Sequence, residues 1–156
     1  MQSNYTYHFI FKYVFLGAGI TMIITSLVSW YLPNLITMNG EQMPQDFFAS
    51  IVFLLLGFFM IIIFFGISDK FVVVKLGGQS LIVKKGTWEK SINWLDVESL
   101  SLIQFVYPPL YRIKIRGIDK TLWFNTENQF ISAGGFTSDL SEMGHLIKKK
   151  KSELGI

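Results

Sequence analysis

Basic side chains carry the most conspicuous chemistry-bearing pattern in this sequence: Lys84 with Lys85, then Arg112, Lys114 and Arg116, then Lys148 and Lys149. Such cations suit contact with anionic surfaces, worth on the order of 1 kcal/mol per side chain beside an anionic membrane. Arg112, Lys114 and Arg116 alternate with Tyr111, Ile113 and Ile115, so a strand puts the cations on one face and the apolar side chains on the other. A solvated outer face of a half-buried strand explains the same alternation, and the residues alone leave both readings open. The run Lys148 to Lys151 advances about 100° per residue on a helix, which spreads its charges around the axis instead of making a flat patch. Nucleic-acid binding needs a denser basic face with stacking aromatics, and none is expected.

Catalytic chemistry has little to work with. The chain has no Cys, which excludes thiolate nucleophiles and Cys metal sites. His8 and His145 are the only imidazoles, and neither has a partner at metal-ligand spacing. Asp96 and Glu98 alternate on one strand face and read as a solvent rim. No nucleophile elbow, P-loop or paired-His motif is present. The expectation is a non-catalytic protein with no cofactor and no metal.

Two apolar blocks must position these residues. Val14 to Leu32 and Phe47 to Ile67 contain no formal charge. At about 1.5 Å of rise per residue each reaches close to 30 Å, the thickness of a bilayer's hydrocarbon core. Helices over about 13–32 and 47–68 are predicted, forming a transmembrane hairpin. The first is read as a retained helix, since Trp30-Tyr31-Leu32-Pro33 follows where a small-residue cleavage site would stand. The connector carries turn residues Pro33, Asn34, Asn39-Gly40 and Pro44, with Glu41 and Asp46 its only charges. Lys12, Lys70 and Lys75 flank the hairpin, which places both termini in the cytoplasm. Tyr5, Tyr7 and Tyr13 suit one membrane interface, and Trp30, Tyr31, Phe47 and Phe48 the other. Neither block holds an ionisable group, so the hairpin reads as an anchor and not as a transport path. Gly17, Thr21, Thr25 and Ser29 form an i, i+4 ridge of small residues for helix–helix packing, either within the hairpin or as the seam of a homo-oligomer.

Charge is concentrated after the hairpin: 13 of the 14 Lys and Arg lie beyond residue 69. There the pattern turns to short β-like runs: 71–76, 81–85, 87–92, 94–105, 110–116 and 121–125. Residues 126 to 137 fit this pattern less well. Asp139, with Glu142 three residues on, reads as the N-cap of a last helix that buries Leu140, Met143, Ile147 and Leu154. The fold class is α+β: an N-terminal α-hairpin over 1–68, then a small antiparallel barrel or roll over 69–156 closed by a C-terminal helix.

Two segments, Leu81-Ile82-Val83-Lys84-Lys85-Gly86 and Ile92-Asn93-Trp94-Leu95-Asp96-Val97-Glu98-Ser99-Leu100, resemble the bacterial pleckstrin-homology-like (PH-like) domains that follow a two-helix membrane hairpin. The second is similar to the I-x-W-x-D-I-x-x-I segment of such domains. The resemblance implies a PH-like fold over about residues 69 to 154 and a protein of the bacterial inner membrane. It does not extend to the phosphoinositide site of eukaryotic PH domains, because the first hairpin loop, Gly77-Gly78-Gln79-Ser80, contains no basic residue. The functional expectation is a membrane-anchored binding or scaffolding module that docks a membrane or cytoplasmic protein, or a peptide along a sheet edge. The alternative is recognition of anionic lipid through the basic faces. A membrane-embedded enzyme would require His145 to meet Asp or Glu in a cleft.

Overall fold

The structure, a computed structural model, describes residues 1–33, 37–38, 41–42, 46–127, 129–134 and 136–156. The chain divides into two compact units: Phe11–Asp69, and Met1–Ile10 together with Lys70–Ile156.

The first unit is helical. Helix α1 spans Tyr5–Tyr31, and α2 spans Phe47–Ile67. The short strands β1 (Thr37–Met38) and β2 (Glu41–Gln42) pair between them. Asn34, Asn39-Gly40 and Pro44 lie outside the described residues. Asp46 caps α2, its carboxylate accepting the Ala49 N–H at 3.0 Å. Helix α1 begins about two turns before the predicted start because Asn4 accepts the Tyr7 N–H at 3.1 Å and caps a run free of breakers. Both helices are long and apolar enough to cross a membrane. Phe58, Phe59, Ile62 and Phe65 of α2 are all exposed. A helix that is apolar all round and uncovered by protein has an apolar solvent as its natural surrounding.

Close approach of the two helices depends on glycine. A Cβ at Gly19 would stand 2.8 Å from the Gly57 carbonyl oxygen, and one at Gly57 would stand 2.9 Å from that of Gly19. Next along this seam, Ser26 Oγ donates to the Ser50 carbonyl at 2.7 Å, and Ser50 Oγ lies 2.9 Å from Ser29 Oγ. Packing within the hairpin therefore does not use most of the predicted ridge, whose other reading was the seam of a homo-oligomer. Gly17, Thr21 and Thr25 are exposed, and Thr21 Oγ1 donates within its own helix to Gly17; only Ser29 joins the seam.

The second unit is built on antiparallel sheets. One joins β3 (Val73–Leu76), β4 (Ser80–Lys85) and β5 (Trp88–Asn93) in that order. A 3-10 turn over Trp94–Asp96 leads into a second sheet of β6 (Val97–Ile103), β7 (Leu110–Ile115) and β8 (Leu122–Asn125). Then follow the hairpin β9 (Phe130–Ala133) and β10 (Phe136–Asp139) and helix α3 (Glu142–Leu154). The described strands make no closed barrel. β5 and β6 do not pair, and Phe71 meets Trp123 only in an isolated parallel bridge. The extended segment before α1 occupies the region between β3 and β8. Ser3 N–H donates to the Val74 carbonyl at 2.7 Å, and Asn4 N–H to that of Asn125 at 3.2 Å.

The core takes Val74, Leu81, Val83 and Trp94 from the first sheet and its exit turn, Leu100, Ile113 and Phe124 from the second, and Met143 and Ile147 from α3. Each such side chain contributes roughly 1.5–3 kcal/mol through removal from water. Trp94 also donates its indole N–H to the Gly77 carbonyl at 2.9 Å, tying the β3–β4 turn to the corner between the sheets. β7 alternates as its sequence requires: Tyr111, Ile113 and Ile115 are buried, while Arg112 and Lys114 are exposed.

The cap of α3 differs from expectation. Ser141 is the N-cap, accepting the Gly144 N–H at 3.0 Å. Asp139 is the last residue of β10, and its fully buried carboxylate accepts the Thr126 hydroxyl at 2.7 Å and the Ser141 N–H at 2.9 Å. Long-range partners outcompete the local capping role. Leu140 is exposed and lies before the helix.

Candidate functional site

A groove of about 420 Å³ lies where β6 begins and β7 ends, lined by Trp94, Leu95, Val97, Glu98, Arg116, Leu154 and Ile156. Three elements shape it. The Trp94–Asp96 turn presents Leu95, which is 71% exposed. β6 supplies Val97 and Glu98, and the end of α3 supplies Leu154. The Asn93 side chain holds the turn by accepting the Leu95 N–H at 3.0 Å, and the Arg116 N–H donates to the Asp96 carbonyl at 2.8 Å. The groove thus combines apolar walls, one acid and one base at the start of β6, a strand that among the described residues pairs only with β7.

A second groove, of about 390 Å³, lies between the β4–β5 turn and the β7–β8 turn. Lys85, Lys90 and Lys120 line it with Trp88. Sequence reasoning singled out Lys85 but not Lys90 or Lys120, which are remote in sequence and converge only once both turns are formed.

The remaining basic residues are distributed. Lys84 faces Glu89 at 3.7 Å across the β4–β5 ladder. Lys148 Nζ donates to the Asp139 carbonyl at 3.3 Å, while Lys149 and Lys150 both reach Glu153, at 4.0 and 2.7 Å. Arg112 Nε donates to Ser101 Oγ at 3.4 Å. Lys114 Nζ lies 2.8 Å from Glu98 Oε2. That hydrogen bond, followed by the Coulombic attraction of Lys114, holds the Glu98 carboxyl below its ordinary 4.5 and raises Lys114. The sign follows directly. A depressed carboxyl contributes stability above its unfolded value, and this is lost as pH falls through the lower folded value. Substituting Lys114→Ala is expected to move the Glu98 midpoint upward in a side-chain NMR titration. An unchanged midpoint would show that the pair does not form in solution. The pair is exposed, so global stability should barely respond.

His145 is exposed on α3, and among the described residues no group of three or more His, Asp or Glu side chains is placed to hold a metal. The buried polar cluster was not foreseen. Asp139 and Thr126 are joined there by Tyr111, whose hydroxyl burial pushes well above the ordinary tyrosine value, helped by the charge and hydrogen bond of Asp139. The cluster is enclosed and serves the fold.

The molecule is thus an α+β protein with two apolar helices and a small unit of three antiparallel sheets among the described residues. Comparison with family models, with curated proteins and with solved structures finds no match for it.

Proposed function

We propose that this chain is an integral protein of the bacterial inner membrane. Its PH-like domain stands on the cytoplasmic side and docks an extended peptide segment of a membrane-associated protein. The proposed activity is binding without catalysis. The groove at the start of β6, an end strand of its sheet, carries the reading. A strand added there would gain main-chain hydrogen bonds from β6, and its alternate side chains would meet Leu95, Val97 and Leu154. Glu98 and Arg116 would fix direction and register. The helical hairpin would confine the domain to the membrane plane and so raise its effective concentration for partners in the same bilayer. The uneven flanking charge supports the cytoplasmic placement.

Selection of displayed peptides against the full chain in lipid nanodiscs tests this. The expected binders are extended peptides with alternating apolar residues. They should shift the amide signals of Val97 to Ile103 and lose most of their affinity on Leu95→Glu, a change at an exposed position. Binders that leave those amides unmoved and ignore Leu95→Glu would overturn the proposal.

The lysine groove favours a second reading, recognition of anionic lipid headgroups by Lys85, Lys90 and Lys120. It makes a different demand: headgroup contact that weakens with salt and with Lys90→Glu, whatever happens at Leu95.

A further inference from the structure

A different surface of the β unit carries apolar side chains that the fold does not use. Phe105 and Phe136 are each 67% exposed, and their rings meet at 5.9 Å. Ile131 is exposed on the same face of the β9–β10 hairpin as Phe136, while Tyr107 stacks on Phe130 of the other face at 5.5 Å. The loop between β6 and β7 is held to the β9–β10 hairpin by polar bonds: Thr137 N–H donates to Gln104 Oε1 at 2.8 Å, and Ser132 Oγ to Tyr107 Oη at 2.7 Å. These bonds fix the backbone and leave the rings outside. Phe105 also has φ +64°, a left-handed conformation that glycine or asparagine adopts at far lower strain. The fold gains neither burial nor an easy turn from a phenylalanine there. Clusters of this kind, rimmed by polar groups, mark surfaces that meet another phase or molecule.

Position identifies the other phase. The Pro109 carbonyl, at the end of the same loop, accepts from Thr126 N–H and from Asn125 Nδ2, both at 3.3 Å. The Asn125 carbonyl in turn accepts from Asn4 N–H, and Asn4 caps α1. The aromatic loop is therefore bonded through a single residue to the place where the β unit passes into the first apolar helix. Tyr5 and Phe9 in the opening turns of that helix are exposed as well. Aromatic side chains concentrate at the headgroup level of bilayers, where apolar rings and polar surroundings are both satisfied.

We propose that the β6–β7 loop and the β9–β10 hairpin form a membrane-insertion surface, seating Phe105, Ile131 and Phe136 at the headgroup–acyl boundary of the bilayer crossed by α1 and α2. This rests on the membrane reading above. It adds an attachment through side chains to the covalent ones. A second copy of the chain or a soluble partner would cover the same rings by protein instead of lipid.

The absence of Cys makes the test direct. Nitroxides are attached one at a time to Phe105→Cys and Phe136→Cys in the full chain, reconstituted in phospholipid bilayers. Ser91→Cys, on exposed β5, serves as an aqueous reference, and Leu55→Cys, on α2, as a bilayer reference. Collision with oxygen, which partitions into lipid, is compared with collision with a water-soluble nickel chelate. Residues 105 and 136 are expected to resemble 55, with oxygen accessibility several-fold higher relative to nickel than at 91. If both resemble 91 while 55 remains lipid-like, the insertion surface is overturned and the anchor stands. If 55 itself resembles 91, the anchor fails and the surface with it. Shielding of 105 and 136 from both reagents, or dipolar broadening between chains, would assign the patch to protein and overturn the proposal. The label at 136 is independent of the left-handed backbone at 105, so a local disturbance from Phe105→Cys cannot decide the outcome alone.

Discussion

Replacing Gly57 with leucine is expected to separate the two apolar helices. A Cβ at Gly57 falls 2.7 Å from Ile23 Cγ1, 2.9 Å from the Gly19 carbonyl and 3.2 Å from the Ile23 backbone nitrogen. The isoleucine methylene can rotate away, but two backbone atoms cannot. Overpacking at a tight contact costs about 1–3 kcal/mol in general, and an approach limited by backbone belongs at the upper end. In an apolar solvent no hydrophobic force between the helices offsets that loss; packing and the Ser26–Ser50 hydrogen bond do the holding. Distances between nitroxides at Thr25→Cys and Val52→Cys, both exposed, should lengthen and broaden in Gly57→Leu. Gly17→Leu is the control, because a Cβ there meets nothing within 4 Å. Equal distances in Gly57→Leu and the parent chain would show that the seam lies elsewhere.

The same pair of variants explains how the sequence misleads. An α-helix that is apolar on every side has no polar face to fix its orientation, so small residues are the only guide. Helix α1 carries two such series. Gly17, Thr21, Thr25 and Ser29 recur at i, i+4 and catch the eye first. Gly19 and Ser26 recur two turns apart, and α2 repeats that spacing in reverse with Ser50 and Gly57. Antiparallel packing sets Gly19 on Gly57 and Ser26 beside Ser50. The matched spacing was legible, but only by reading the two helices against each other.

Elsewhere, legibility followed the range of the interaction. The alternation of β7, the β3–β4 turn at Gly77-Gly78 and the apolar spacing of Met143 and Ile147 are local signals, and all appear in the fold. The β9–β10 hairpin was missed, although Gly134-Gly135 between two short runs is a turn signal; its strands are short and only half committed to burial. The lysine groove and the β6 groove depend on turns that meet across the unit, and no window of sequence contains them. Phe105 is the clearest case. In sequence it closes the β-like run 94–105 and nothing local marks it as outward, whereas the left-handed turn leaves it exposed.

Asp139 gives the second large effect, and it too arises from contacts that sequence spacing hides. Its carboxylate accepts from the Thr126 hydroxyl and the Ser141 N–H beside the Tyr111 phenol, and all four residues are buried. Asp139→Ala strands two donors away from water. At roughly 1–2 kcal/mol for each unsatisfied group, the loss is about 3 kcal/mol, which corresponds to roughly 10–20 °C in the melting temperature of a unit this size. Gly144→Ala should approach the same loss by a different route, since its Cβ would stand 2.5 Å from Asp139 Cγ. Tyr111 adds a pH signature. Burial, then the Asp139 charge and hydrogen bond, raises the phenol far above its ordinary 10.0. Unfolding releases a tyrosine that ionises from about pH 10 upward, so the folded state loses stability as pH rises beyond that value. Asp139→Asn keeps the volume and removes the charge, so it should bring Tyr111 ionisation to lower pH by NMR and narrow that alkaline loss. An Asp139→Ala chain that melts within a few degrees of the parent, with Tyr111 titrating as before, would show that the carboxylate is neither buried nor bonded as described, and that α3 is held to β10 by its apolar face alone.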